Sequence, residues 1–88
     1  MAGPVRTVVE NVSVTEVIDD NQSTYPRLVD AYEGLKWLLA RNPEIGEIFD
    51  DVNWLYVQAG DPGVKVPSLV VIYTFDAQTV TLRHIKVY

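Results

Sequence analysis

Leu69-Val70-Val71-Ile72-Tyr73 is the longest apolar run in the chain, and it leaves neither parity for water. A strand with one solvated face alternates, so a stretch from Ser68 to Phe75 that is apolar on both parities belongs in the middle of a sheet. The run is also far short of the roughly 20 residues a membrane helix needs. The chain must therefore supply flanking strands and a covering layer from only 88 residues. A chain of that length buries about two thirds of its unfolded surface around one core, so residues 1–88 are read as a single domain. With 48% hydrophobic residues, two Trp and five Tyr, it carries enough large side chains to build that core.

Strand signals flank the central run. Val52 to Gln58 alternates Trp54 and Tyr56 against Leu55 and Val57. Thr79 to Tyr88 carries Val80 and Leu82 on one parity and Ile85 and Val87 on the other. That switch of phase predicts either a β-bulge near Arg83-His84 or burial on both faces. Pro62-Gly63 suits the centre of a type II turn. Upstream, Val8, Val12, Val14 and Ile18 share one parity, which predicts a long half-buried strand over Val5 to Ile18, continuous or broken near Glu10-Asn11. Thr24 or Tyr25 then caps a helix with Pro26 in its first turn. Leu28, Tyr32, Leu35, Leu38 and Leu39 form its apolar stripe. Asn42-Pro43-Glu44 ends that helix and starts a short second one through Ile45, Ile48 and Phe49. The expected fold class is α+β, in the order β-α-α-β-β-β. Two helices pack on a mainly antiparallel four-stranded sheet, burying Leu28, Leu35, Leu38, Leu39, Ile48, Leu55, Val71 and Tyr73.

Composition removes several chemistries. Without cysteine there is no disulfide, zinc–thiolate site, iron–sulfur cluster or cysteine nucleophile. Glu44, Glu47, Asp50 and Asp51 lack the ligand spacing of a calcium loop, and no phosphate-cradling glycine motif occurs. No metal or other cofactor is expected. Met1-Ala2-Gly3-Pro4-Val5-Arg6 lacks the basic start and apolar stretch of a signal peptide, so a cytoplasmic protein with no membrane partner is expected. The net charge of −5 is unevenly spread. Up to Val64 there are four basic and eleven acidic residues; from Lys65 onward there are three basic and one acidic. An RNA contact would have to use the last two strands, because phosphates are bound through Lys and Arg.

Polar side chains with catalytic capacity gather in that same region. His84, the only histidine, has the side chain suited to proton transfer near neutrality. Arg83, His84, Lys86 and Tyr88 are the candidate catalytic residues, with Lys65 and Tyr73 as RNA-binding candidates. If strand pairing brings them together, cations can stabilise a phosphodiester while imidazole or phenol moves a proton. The competing reading is the exposed polar face that any alternating strand presents.

Two stretches resemble a known family. Leu38-Leu39-Ala40-Arg41-Asn42-Pro43-Glu44-Ile45-Gly46 is similar to the link between the two helices in many RelE/ParE-superfamily toxins. Val70-Val71-Ile72-Tyr73, followed by Val80-Thr81-Leu82-Arg83-His84-Ile85-Lys86-Val87, resembles their last two strands. The resemblance spans about Leu28 to Tyr88. It implies a toxin of a type II toxin–antitoxin pair: a metal-independent endoribonuclease acting on ribosome-bound mRNA, or a gyrase inhibitor, held in check by an antitoxin protein. Val70 stands where the family usually has Arg, and this chain is acidic where the family is basic. Those departures motivate the alternative, a non-catalytic protein-binding module of the same fold. Its partner would be an antitoxin, another protein or a second copy of the chain.

Overall fold

The computed structural model describes residues 5–88; Met1 to Pro4, on which part of the targeting reading rests, lie outside them. The elements are β1 (Thr7–Glu10), α1 (Val12–Asn21), α2 (Leu28–Arg41), a 3-10 turn (Pro43–Ile45), β2 (Glu47–Ile48), β3 (Trp54–Gln58), a second 3-10 turn (Pro62–Val64), β4 (Leu69–Phe75) and β5 (Thr79–Val87). The sheet order is β1-β5-β4-β3-β2. β1 pairs with β5 in parallel, and every other pair is antiparallel. The α+β class is as expected. The sheet has five strands rather than four, and it is mixed.

Two elements depart from the sequence expectation for identifiable reasons. The N-terminal strand is only Thr7–Glu10, and Val12 to Ile18 is helix instead. Val14 and Ile18 are four apart, a spacing that satisfies both the strand period of two and the helical i, i+4 rule. Both are buried, whereas Val12, of the same parity, is 69% exposed. Only a helix separates them in that way. The short second helix is likewise replaced: the 3-10 turn stops at Gly46, whose extended backbone leads into β2. A methyl group at Gly46 would overlap the Tyr73 hydroxyl and the Leu55 carbonyl, so the close approach of this segment to β3 and β4 requires glycine.

Both helices lie on one face of the sheet. Val14 and Ile18 of α1 and Leu28, Tyr32, Leu35 and Leu39 of α2 share a buried cluster with Leu69, Val71, Tyr73, Val80 and Leu82. Of the expected core, Leu28, Leu35, Leu39, Val71 and Tyr73 are fully buried. Leu38 and Leu55 are half-buried, and Ile48 is exposed because β2 is an edge strand lying beyond the cover of α2. β1 is fastened at its start: the Arg6 N–H donates to the Ala40 carbonyl at 2.8 Å, and Arg6 Nε donates to the Asp76 carbonyl at 2.7 Å. Among the described residues, no helix is long and apolar enough to cross a membrane.

Of the two alternatives for β5, the bulge is present. Ile72 pairs with His84 and Tyr73 with Leu82, leaving Arg83 as the extra residue. The Pro62-Gly63 turn is not type II, since Gly63 keeps a negative φ and the left-handed residue is Lys65, at φ 60. Gly34 lies exposed in the interior of α2 with open space where a side chain would go. Gly34→Ala should therefore stabilise the protein by about 1 kcal/mol, the helix-propensity difference, read as a rise in the thermal midpoint.

Candidate functional site on the open sheet face

Pairing register determines which side chains share the face that neither helix covers. Along β5, Thr79 and Thr81 precede the bulge on this face, and His84 and Lys86 follow it. His84 lies opposite Ile72, which lies opposite Leu55, which lies opposite Glu47 at the sheet edge. In the neighbouring row Lys86 faces Val70, and Val70 faces Val57. His84 and Lys86, two residues apart on one strand, are separated by roughly 7 Å. Both are exposed, as is Arg83.

The bulge is braced from the helix side. Ser13 Oγ in α1 donates to the Arg83 carbonyl at 2.9 Å, and the Asn11 N–H donates to the Leu82 carbonyl at 3.0 Å. The charge of Arg83 is felt by Asp50 in the β2–β3 turn. The Asp50 carboxyl lies below the usual carboxylate range. The Asn53 side chain and the N–H groups of Val52 and Asn53 bond to it, and Arg83 adds a smaller attraction. The cationic strip thus ends against an acidic rim at Glu47 and Asp50.

Lys65 and Tyr73 lie elsewhere, and Tyr88 sits beside the group. Tyr73 is fully buried, on the helix side of β4. Its hydroxyl donates to the Pro43 carbonyl at 2.5 Å and accepts from the Gly46 N–H; burial pushes its pKa up to about 12. It anchors the 3-10 turn and is closed to RNA, contrary to the sequence expectation; alternation along β4 separates it from His84. Tyr88 continues β5, its N–H and carbonyl both bonded to Ser68. Lys86 Nζ lies 5.7 Å from the centre of the Tyr88 ring. Lys65 is in the 61–66 loop and joins Tyr88 only around a separate cavity at the end of the sheet. The structure therefore brings Arg83, His84 and Lys86 together, sets Tyr88 beside them, and leaves Lys65 and Tyr73 apart.

A second polar group was not legible in the sequence. Tyr32, almost fully buried in α2, donates to Glu10 Oε1 at 2.6 Å, and Lys36 Nζ is 3.0 Å from both Glu10 Oε1 and Glu33 Oε1. Burial alone would raise the Glu10 carboxyl; the bonds from Tyr32 and Lys36 outweigh it and hold the group below its ordinary value. Burial and the bond to Glu10 both push the Tyr32 hydroxyl up. The spacings 32/36 and 33/36 were visible on a helix, but Glu10 reaches them only through the fold. The network ties β1 to α2 and lies on the opposite side of the sheet from His84.

Among the described residues, no three His, Asp or Glu side chains gather as a metal centre would require. No family model, no curated protein and no solved structure matches the chain.

Proposed function

We propose that the chain is the toxin-type member of a toxin–antitoxin pair of the RelE/ParE kind, cutting ribosome-bound mRNA without a metal through the open face of its sheet. The observation that carries this reading is the placement of His84 and Lys86 on the face that neither helix covers, next to the exposed Arg83 at the bulge. RNA cleavage by its own 2′-hydroxyl needs a proton removed, a proton delivered to the leaving oxygen, and charge stabilised on phosphorus-bound oxygens. His84 takes the 2′-hydroxyl proton as that oxygen bonds to phosphorus and the bond to the 5′-oxygen breaks. Solvent water protonates the departing 5′-oxygen, and Arg83 and Lys86 supply cations at the phosphate. The chain runs strand, two helices and three long strands, but Leu38 to Gly46, which the resemblance reads as a link between helices, here joins α2 to a 3-10 turn and β2. An antitoxin segment laid over the same face would block it.

Expression of the wild-type chain in bacteria should arrest growth and cleave ribosome-bound mRNA. Arg83→Ala or Lys86→Ala should each lower cleavage by about 10²-fold, the usual cost of removing one charge-stabilising group. Both side chains are exposed, so neither variant should lose the fold. Harmless overexpression with intact mRNA would reject the reading, and a supercoiling assay would identify gyrase as the target instead.

A second reading has its own observation. The centre of the open face is apolar: Leu55, Val57, Val70 and Ile72 fill the two rows beside His84 and Lys86. Val70 stands where the resemblance calls for Arg. A non-catalytic module of the same fold would use that surface to hold a protein partner, with the cations at its rim. Wild-type expression would then be harmless, and Val57→Asp, on an exposed site, would abolish partner capture.

A further inference from the structure

The cavity at the end of the sheet adjoins the open face but is built from different segments. It has a volume of about 470 Å³ and lies between the α1–α2 connection and the 61–68 loop. That is within the range of small-molecule sites. Pro26, Pro62 and Pro67 form rigid parts of its wall, while Tyr25 and Tyr88 present aromatic rings. The loop on one side is already organised. Asp61 and Val66 exchange both backbone hydrogen bonds at 2.9 Å, and Asp61 Oδ1 accepts from the Gly63 N–H at 2.9 Å. A ligand entering this space would have little ordering left to do.

Charge around the cavity runs against the charge of the protein. The chain has twelve acidic and seven basic residues, yet no acidic side chain lines the space and Lys65 does. Lys86, outside the lining, has its Nζ 5.7 Å from the centre of the Tyr88 ring. Among the described residues Lys65 makes no salt bridge. It is also the only described residue other than glycine with a positive φ. A lysine in left-handed backbone costs energy that glycine would avoid. The strained position carries a free ammonium group at a cavity walled by prolines and tyrosines.

We infer that this cavity is a binding site for a small ligand with a flat apolar body and an anionic head, the body against Tyr25 and Tyr88 and the head on Lys65. The site does not depend on RNA cleavage or partner binding at the open face, so either result can stand without the other.

The test is a titration of the full ¹⁵N-labelled chain with naphthalene-2-carboxylate and with the neutral 2-naphthamide, followed by amide chemical shifts. Saturable shifts should be confined to the amides of residues 24–25, 63–66, 68 and 88. The carboxylate should bind about tenfold more tightly than the amide, the ratio that ~1.4 kcal/mol produces. Lys65→Gln should bring the two affinities together. Lys65→Gly should do the same while raising thermal stability, which separates loss of the cation from loss of the fold. Absence of saturation, shifts centred on His84 and Lys86, or equal affinities of the wild type for both probes would overturn the inference.

Discussion

Val14→Asp should unfold the protein, or cost about 4 kcal/mol where a folded population survives, while Val12→Asp should change stability by less than about 0.5 kcal/mol. The two valines are two residues apart and would share a face in a strand. In α1 they do not: Val14 is fully buried against the core and Val12 is 69% exposed. An aspartate at 14 would place an unpaired carboxylate among Ile18, Leu35 and Leu82, with no cation to receive it. Domains of this size have only about 5–15 kcal/mol of stability in all, so the loss is a large share. Urea unfolding monitored through Trp54 and Trp37 would measure it. Equal effects of the two substitutions would mean that this segment is a strand.

The second large effect belongs to Tyr73. Tyr73→Ala should cost about 3–5 kcal/mol, the usual range for removing a buried aromatic side chain. Its ring stacks near Phe75, with centroids 6.2 Å apart, and Phe75 in turn meets Trp54 edge-on at 5.2 Å. Tyr73→Phe should cost less, about 1–2 kcal/mol, because the ring stays and the Pro43 carbonyl loses its donor. Denaturant midpoints would give both values. If the wild-type chain cleaves RNA as proposed, any loss of that activity in Tyr73→Phe should follow its loss of stability. A fully stable Tyr73→Phe inactive against RNA cleaved by the wild type would instead assign the hydroxyl to catalysis.

The parts of the fold legible in the sequence are those where one period fits and the other fails. The Leu28–Leu35–Leu39 stripe has no strand reading, and the alternation in β3 and β5 has no helical one. The bulge was visible because Val80 and Leu82 fall out of phase with Ile85 and Val87, and packing both pairs against the helices requires an added residue. α1 was hidden because Val14 and Ile18 suit either period, and β-branched residues then weighed toward strand. β2 was hidden because two residues carry no period at all, and its existence depends on Gly46 meeting Tyr73 across the sheet. At the candidate site, strand parity was enough to group His84 with Lys86. It could not show that Tyr73 turns away, because β4 is apolar on both parities and its inward face is set only by its register with β5.

Of the described elements β5, between β1 and β4, is made last, and its partner β1 is made first. Chains are made at about 5–20 residues per second, so the helices are exposed for seconds before the strand that completes their cover exists. Until Thr79 and its successors emerge, β1 has no strand to pair with, and the core lacks Val80 and Leu82. The nascent chain can form little more than the β2–β3–β4 meander and loose helices, a state that favours engagement by chaperones. Arg83, His84 and Lys86 are carried by that same final strand. A chain that stops before β5 therefore has neither the completed sheet nor Arg83, His84 and Lys86 beside the apolar rows of β3 and β4.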